Sequence, residues 1–287
     1  MEILVLGGTR FFGKVLVTKL IDRGHNVTIS TRGLTKDDYG NMVNRIVIDR
    51  ENKDSIESAL KGKSFDVIYD NICYSPNAAD ILCDIIKDKT EKYIVVSSSA
   101  VYDFNRNIKE EDFDPKQHII RYGERDDFSY DEGKRQTEAV IYQNYSIPTI
   151  SVRFPVVISE DDYTKRLYSY VEAVIKEESL NIDNLDSEQS FISAKDAGEF
   201  LACLCDKEYE GPINAACEGS ITLREIINYI EISSNKHAQL NSSGKSGAYN
   251  GILDCSLDTS KAKNIGFKFN YVNEYVLDLI DKYLKQY

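Results

Sequence analysis

Short apolar runs alternate with amphipathic stretches through the first half of the chain. The apolar runs are continuous and rich in Val, Ile and Leu, which is typical of strands buried on both faces of a parallel sheet. The stretches between them carry apolar residues at helical spacing. We predict strands over residues 2–6, 27–30, 44–48, 66–69, 92–96 and 149–153, and helices over residues 11–23, 54–60, 77–87 and 271–284. The alternation of strands and helices predicts an α/β fold with a doubly wound parallel sheet.

A glycine turn follows the first predicted strand and opens the first predicted helix. Gly7 can adopt the backbone angles of a tight turn, and Gly13 lets the helix lie close to the strand. The free N–H groups at the start of such a helix bind anions, most commonly the pyrophosphate of a dinucleotide. A G-x-x-G-x-x-G pattern would have its middle glycine at position 10, where this chain has Arg10. The turn therefore predicts a dinucleotide-binding site in which arginine replaces the middle glycine of the pattern.

The end of the second predicted strand indicates which dinucleotide is preferred. NAD-specific sites commonly place Asp or Glu here against the ribose hydroxyls, whereas this chain has Arg32 and no carboxylate. A guanidinium suits a 2′-phosphate, and Arg10 could reach the same phosphate, although each arginine alone could equally be a solvated surface charge. Asp49, after the third strand, could accept a hydrogen bond from the adenine amino group or serve only as a turn residue. We expect NADP(H), with NAD(H) as the alternative.

Candidate catalytic residues lie between the fifth and sixth predicted strands. Tyr130 and Lys134 are four residues apart and share a helix face; of the 19 tyrosines, only Tyr130 has lysine at that offset. A phenol is a poor base at neutral pH, but a nearby ammonium stabilises the phenolate, and a serine hydroxyl can hold the substrate oxygen. A serine-rich segment, residues 97–99, ends the fifth strand. The alternative is a surface helix that merely carries Tyr and Lys.

Six segments in order resemble the short-chain dehydrogenase/reductase superfamily, and within it the extended and atypical branches of the NAD(P)-dependent epimerase/dehydratase group. They are the glycine turn (7–13), the serine segment (97–102), the Tyr-x-x-x-Lys helix (130–138), Val-Arg-Phe-Pro (152–155), residues 190–197 and residues 213–225. The resemblance implies a Rossmann domain over residues 1–160. It also implies a smaller substrate-binding lobe over residues 161–287, with elements that return to the Rossmann core.

The resemblance also implies roles for single residues. Tyr130 would be the acid/base, Lys134 would hold the nicotinamide ribose and stabilise the phenolate, and Ser98 would orient the substrate oxygen, with Ser99 as its near rival. The implied cofactor-binding residues are Gly7, Thr9, Arg10, Phe11, Phe12, Gly13, Arg32, Asn71, Tyr130, Lys134 and Pro155, together with Asp49. The implied reaction is hydride transfer to or from a carbinol or carbonyl of a small substrate, by default a nucleotide sugar. A homodimer is common in this family.

Departures from the family pattern suggest a second hypothesis. Residues 70–73 replace the H-x-A segment of nucleotide-sugar enzymes, and Asp103 replaces a glycine. With Arg10, these changes resemble the G-G-T-R-F branch, which includes chloroplast stem-loop RNA-binding proteins. An RNA-binding or regulatory Rossmann protein with little turnover is therefore the alternative. The net charge of −12 would repel nucleic acid at long range, so we favour an enzyme acting on a small molecule.

Composition limits the remaining possibilities. The chain has 287 residues, six cysteines without a C-x-x-C pair and only three histidines, so we predict buried reduced thiols and no metal site. No apolar run approaches the roughly 20 residues that a bilayer demands, and we expect a cytoplasmic protein without membrane contact. Tyr163 and Arg166 are candidates to meet substrate in the second half, although a solvated helix start is the favoured explanation of both.

Overall fold

The computed structural model describes residues 1–34 and 36–287. Its strands are β1 (Glu2–Leu6), β2 (Asn26–Thr31), β3 (Asn44–Val47), β4 (Phe65–Asp70), β5 (Thr90–Ser98), β6 (Asn105–Ile108), β7 (Thr149–Phe154), β8 (Val156–Ile158), β9 (Ser179–Asn181), β10 (Glu188–Gln189), β11 (Phe191–Ser193), β12 (Gly211–Asn214), β13 (Ile221–Thr222), β14 (Gln239–Leu240), β15 (Lys245–Ser246) and β16 (Cys255–Leu257). Its α-helices are α1 (Phe11–Asp22), α2 (Lys53–Leu60), α3 (Pro76–Ile86), α4 (Tyr130–Asn144), α5 (Arg166–Ile175), α6 (Ala194–Leu204), α7 (Leu223–Ser234), α8 (Ser260–Asn264) and α9 (Val272–Leu284).

A seven-stranded parallel sheet in the order β12-β7-β5-β4-β1-β2-β3 forms the centre of the molecule. The strand order runs one way from β1 through β2 and β3, and the other way through β4, β5, β7 and β12. The direction therefore switches between β1 and β4, and ligands of doubly wound sheets bind outside the carboxyl ends of the strands at such a switch point. The predicted α/β fold class is confirmed.

Helices cover both faces of this sheet because its strands are apolar on both sides. Leu16 of α1 and Phe200 of α6 belong to the core on one face, whereas Ile56 of α2, Leu82 of α3 and Val140 of α4 belong to the core on the other. Each of these five side chains is fully buried. Since α6 and β12 come from the second half of the chain, that half contributes to the main sheet as well as to a separate lobe.

The lobe is built from α5, α7 and α9 around a second apolar core that includes Tyr170, Phe191 and Leu223. Short strands complete it: β9 pairs with β14 and β15, while β10 pairs with β13 and β16. None of the helices in the described ranges combines the length and the apolarity needed to cross a bilayer.

Side-chain caps mark where several helices begin. Ser75 caps α3, Ser193 caps α6, and Thr222 forms a capping box with Glu225 at the start of α7. These side chains accept hydrogen bonds from backbone N–H groups that the helix itself leaves unpaired. By contrast, α1 begins after Arg10 without a side-chain cap from any described residue. Its first N–H groups are therefore open to a ligand.

Candidate active site

The glycine turn between β1 and α1 has the geometry of an anion cradle. Gly7 has φ +83°, and a Cβ there would lie 2.7 Å from Cγ2 of Ile72, while a Cβ on Gly13 would overlap the carbonyl oxygen of Gly7. Both positions therefore require glycine. The first turn of α1 contains no acidic residue, so its positive end is not neutralised from within the helix.

Asn71, directly after β4, closes the other side of the cradle. Its side-chain Nδ2 donates to the Gly7 carbonyl at 3.2 Å, but its Oδ1 is buried and has no hydrogen-bond partner among the described residues. A buried acceptor without a donor costs about 1–3 kcal/mol, which a ligand donor could recover. This orphaned oxygen and the glycine cradle are both suited to a dinucleotide at the switch point.

A buried ion pair stabilises the segment that carries Asn71. Arg50 Nη2 lies 2.6 Å from Oδ2 of Asp70, and the Tyr93 hydroxyl donates to the same oxygen at 3.0 Å. Burial alone would lower the pKa of Arg50, but the Asp70 carboxylate raises it above the ordinary value. Sequence reasoning named Asn71 as a cofactor-binding residue but gave Asp70 no role beyond the departure of residues 70–73 from H-x-A. The structure shows that Asp70 fixes the backbone from which Asn71 reaches Gly7.

The other predicted cofactor-binding residues lie along the same carboxyl edge. Arg10 and Arg32 are exposed, and neither forms an ion pair with a residue in the described ranges. The exposed Asp49 accepts from the Glu51 N–H at 3.2 Å, which is a turn contact. Arg32 and Asp49 therefore follow β2 and β3 at the edge where a dinucleotide would extend, and their contacts with it stay a prediction.

Aromatic rings join the cradle to the second half of the chain. The Phe12 ring lies 5.7 Å from the ring of Phe154, which immediately precedes the buried Pro155. The Phe11 ring lies 6.1 Å from that of Tyr163, edge to face. Thus the cradle contacts the segment that leads into α5, and the predicted substrate residue Tyr163 stands beside a predicted cofactor residue.

Lys134 and Tyr130 occupy the first turns of α4. Lys134 is only 3% exposed, and its Nζ donates to the carbonyls of Cys73 at 2.8 Å and Val96 at 2.9 Å, behind the ends of β4 and β5. Tyr130 is 56% exposed, with its ring centroid 6.0 Å from that nitrogen. An ammonium has three N–H donors, so one remains after these two bonds. The helix start thus presents an accessible phenol beside a fixed cation.

The three serines that end β5 differ in their contacts. The Ser97 hydroxyl is buried and donates to Glu138, so it is already engaged. Ser98 is half-buried, and its Oγ accepts from the Ala100 N–H at 3.2 Å, which leaves its hydroxyl hydrogen for another acceptor. Burial raises the pKa of the Cys255 thiol, and the neighbouring Ser99 side chain acts in the opposite direction. Ser98 stays the predicted partner of the substrate oxygen.

A second buried ion pair, missed as a functional feature in the sequence, anchors α4 to β7. Arg153 Nη2 lies 2.6 Å from Oε2 of Glu138, both side chains are fully buried, and Arg153 also donates to the Tyr102 hydroxyl at 2.9 Å. Removing one member of such a pair typically costs 3–5 kcal/mol. Glu138 lies one helical turn beyond Lys134. Its charge, on the helix face that it shares with Lys134, was the available signal in the sequence.

Tyr74 is the other residue that sequence reasoning missed. Its ring lies 4.7 Å from Nζ of Lys134 and 4.7 Å from the guanidinium carbon of Arg125. Burial raises the pKa of Tyr74 to about 12, and the neighbouring phenols of Tyr130 and Tyr163 contribute in the same direction. Tyr74 is therefore a neutral hydroxyl at physiological pH, in a group of three tyrosines beside the catalytic candidates.

A model of the NAD dependent epimerase/dehydratase family matches residues 3–216. The chain belongs to this family. It is an epimerase/dehydratase-family enzyme, and the matched range contains the cradle, Tyr130 and Lys134. The helices α7 and α9 of the lobe lie outside that range.

Solved structures with the same fold include nucleotide-sugar enzymes. UDP-glucose 4-epimerase from Thermotoga maritima is 16% identical with a TM-score of 0.77, over 100% of this chain and 99% of the other. dTDP-glucose 4,6-dehydratase from Bacillus anthracis, in complex with NAD, is 15% identical with a TM-score of 0.78, over 100% and 97%. At these identities the similarity establishes the fold of this family member.

One curated relative has a different description. Chloroplast stem-loop binding protein of 41 kDa b from Arabidopsis thaliana is 31% identical over 173 residues. The match covers 55% of this chain and 42% of the relative, so the chain spans less than half of that protein's length. The epimerase/dehydratase-family enzyme is thus similar in part to a protein named for binding a stem-loop.

Proposed function

We propose that this enzyme binds NADP(H) in preference to NAD(H) in the cradle of Gly7, Gly13 and Asn71. We propose further that it transfers a hydride to or from a carbinol or carbonyl carbon of a small substrate. The observation that carries the proposal is the fixed Lys134 ammonium beside the exposed Tyr130 phenol. That pair has the composition of a proton-transfer site, and it lies at the same edge of the sheet as the cradle.

The chain's own residues have distinct tasks in this proposal. The free N–H groups of α1 and Asn71 hold the dinucleotide, whose nicotinamide, when bound, supplies or accepts the hydride. Tyr130 moves the proton at the substrate oxygen, and the Lys134 ammonium stabilises the phenolate that results. Ser98 donates its hydroxyl hydrogen to the same oxygen and orients the substrate.

The preference for NADP(H) rests on the charges around the cradle. Arg10 and Arg32 bring two guanidinium groups that no described carboxylate pairs with, whereas the two acidic residues of the segment after β2, Asp37 and Asp38, are paired with Arg45 and Lys14. An arginine–phosphate hydrogen bond is charge-assisted and commonly bidentate. A 2′-phosphate would therefore bind more favourably here than a ribose hydroxyl.

The substrate class follows from the family and from the entrance to the site. A nucleotide sugar is the family's default, and two solved structures with this fold are described with UDP-glucose. Arg125 stacks on Tyr74 with its guanidinium exposed, so it can meet an anionic substrate group. The same residues serve net reduction, epimerisation or dehydration, because these reactions differ in the fate of the hydride and share the proton transfer.

Calorimetric titration with NADP+, NADPH, NAD+ and NADH tests the cofactor. We expect one site per chain and tighter binding of the 2′-phosphorylated forms; equal affinity for both pairs would contradict the NADP(H) preference. A panel of nucleotide sugars, assayed with the preferred cofactor for reduction, oxidation and isomer formation, then tests the substrate class. No turnover with any member of the panel would remove nucleotide sugars from the proposal.

Binding of structured RNA is the second candidate, favoured by the similarity to the chloroplast stem-loop binding protein. The net charge of −12 opposes it, because affinity for nucleic acid depends on neutralising phosphates with basic groups. Filter binding of a stem-loop RNA at low and high salt separates the two candidates. We expect weak binding at both; tight binding that falls steeply with salt would favour the RNA-binding function instead.

A further inference from the structure

Three side chains with metal-binding atoms meet at the amino edge of the sheet, opposite the cradle. His25 lies between α1 and β2, while Cys205 and Asp206 follow α6. Within the described ranges they are the group whose potential ligand atoms all lie within 4.8 Å of one another. We propose that His25, Cys205 and Asp206 bind a divalent transition-metal ion, with Zn²⁺ as the preferred occupant.

The geometry agrees with tetrahedral zinc. With the usual Zn–S and Zn–N bond lengths, sulfur and nitrogen ligands of one ion lie about 3.6 Å apart. Nε2 of His25 lies 3.8 Å from Sγ of Cys205, so these two atoms already have this separation. Asp206 is exposed, and a carboxylate oxygen of its side chain lies within 4.8 Å of both atoms, so rotation of this side chain can bring the third ligand to the ion.

The chemistry of the three ligands selects the ion. Thiolate, imidazole and carboxylate together are typical of zinc, whereas Ca²⁺ and Mg²⁺ prefer oxygen ligands alone. When the Cys205 thiol loses its proton to the solvent on binding, the thiolate and the Asp206 carboxylate neutralise the two charges of the ion.

Two cationic side chains near the proposed site would repel a metal ion, but neither occupies the position of the ion. Arg23 donates to the carbonyl of Ala202 at 2.6 Å, and its distance of 3.7 Å from Asp206 makes a weak ion pair. Lys92 donates to three carbonyls at the end of α6, including that of Cys205 at 2.8 Å. Both side chains are committed to backbone oxygens. The Cys205 thiol itself donates to the Ala202 carbonyl at 3.2 Å, and it gives up this bond when it loses its proton to bind the metal.

An open groove gives the site access to solvent. A cavity of about 520 Å³ is lined in part by Cys205 and Asp206, together with Met1 and Lys92. Three protein ligands leave the fourth position of a tetrahedral ion for water or a small ligand from this groove. Since His25 follows α1 and Cys205 ends α6, a bound ion would join the ends of two helices that pack side by side on one face of the sheet.

Metal titration of the full chain tests the proposal. We expect one Zn²⁺ per chain in competition with a chromophoric chelator, and with Co²⁺ a near-ultraviolet thiolate charge-transfer band together with tetrahedral d–d bands. His25→Gln and Asp206→Asn should each weaken Zn²⁺ binding at least about tenfold and abolish the rise in Tm that Zn²⁺ causes in the parent protein. Cys205→Ser should abolish the charge-transfer band.

Two matched variants control for unrelated thiols and imidazoles. Cys203→Ser changes a neighbouring cysteine outside the group, and His237→Gln changes a histidine that is 91% exposed; both should bind Zn²⁺ like the parent. Cys205 is buried, so its variant could fail to fold. In that case the His25 and Asp206 variants alone test the proposal. Parent-like affinity in both of those variants, or a Co²⁺ spectrum without the thiolate band, would overturn the proposal. Tyr130→Phe should leave metal binding unchanged, so failure of the proposed catalytic function would not alter this result.

Discussion

At the carboxyl edge of the central sheet, polar groups remain without partners among the described residues, whereas at the amino edge side chains satisfy them. The start of α1 is uncapped and Oδ1 of Asn71 accepts no hydrogen bond. At the opposite edge, Lys92 alone donates to three carbonyls that end α6, and Arg23 donates to another. An unpaired buried group reduces stability, so the orphaned Asn71 oxygen beside the glycine cradle indicates where a ligand completes the structure.

The largest effect expected from a change at the carboxyl edge is the loss of turnover in Tyr130→Phe. Removing the acid/base hydroxyl should lower turnover by about 10²–10⁴-fold and leave cofactor affinity and stability nearly unchanged, because the phenol is exposed. Steady-state kinetics, cofactor titration and thermal unfolding check this. Tyr271→Phe, at a tyrosine of similar exposure (52%), is the matched control and should keep full turnover. Unchanged turnover in Tyr130→Phe would end the catalytic assignment.

Gly13→Ala should distort the backbone of the glycine turn at the carboxyl edge. The added methyl group would overlap the Gly7 carbonyl oxygen, so the turn must shift, and a displacement of this kind can cost about 100-fold in binding. Calorimetric cofactor titration measures the loss. Gly24→Ala is the control: its φ is +79° but the space around it is open, so it should cost about 1–2 kcal/mol of stability without weakening cofactor binding. Parent-like cofactor affinity in Gly13→Ala would exclude the cradle as the binding site.

Arg32→Ala should change the choice between cofactors rather than binding in general. Loss of a charge-assisted hydrogen bond to a 2′-phosphate should weaken NADP(H) by roughly 10–100-fold, with a much smaller effect on NAD(H). Parallel titrations with both cofactors give the ratio. Arg125→Ala, which removes an exposed guanidinium on the substrate side, should leave the ratio unchanged. Equal losses for the two cofactors in Arg32→Ala would refute the 2′-phosphate hypothesis.

Glu132, two residues after Tyr130, should produce the smallest effect and a pH dependence. Burial alone would raise its pKa, but hydrogen bonds from Gln136, Arg121 and His118 lower the pKa of Glu132 to about 2. A lowered pKa in the folded state adds stability above the ordinary value near 4.5, and that stability is lost as the pH falls from there toward 2. Glu132→Gln should therefore lose on the order of 1–3 kcal/mol at pH 6, and the difference from the parent should shrink at about pH 3.5.

Urea unfolding at these two pH values measures the Glu132 effect. Glu51→Gln, at an exposed position, is the control and should match the parent at both. A difference between Glu132→Gln and the parent that is independent of pH would show that the effect comes from packing rather than from the charge. In either case the amino edge should be unaffected, since within the described ranges the hydrogen bonds and ion pairs of Glu132 go to residues of α4 and of the segment that precedes it.

Much of the fold was predictable because the signals are local. The first strand was predicted over residues 2–6 and is β1 (Glu2–Leu6), and the last helix was predicted over 271–284 and is α9 (Val272–Leu284). Apolar runs and helical periodicity lie within single elements, so one sequence shows them directly. The chemistry of Gly7, Gly13, Tyr130 and Lys134 likewise depends on spacing within one turn or one helix.

Contacts between distant segments were not predictable in this way. Lys134 reaches the carbonyl of Cys73, 61 positions earlier, and Asn71 reaches that of Gly7, 64 positions earlier. Both contacts exist because the strand order places β4 beside β1 and β5. The burial of Glu138 against Arg153 also depends on where α4 crosses the sheet. No spacing rule within a single segment contains this information.

The amino edge shows the limit most clearly. Three histidines and the lack of a C-x-x-C pair predicted no metal site, and the metal titration of the proposed site will test that prediction. Sequence patterns for metals depend on ligands close together in the chain. Local patterns in the sequence predicted most elements of the first half, the last helix, the glycine turn and the Tyr-x-x-x-Lys helix. Only the tertiary structure brought His25 to 3.8 Å from Cys205, 180 positions away, because α1 and α6 pack on one face of the sheet and end at the same edge.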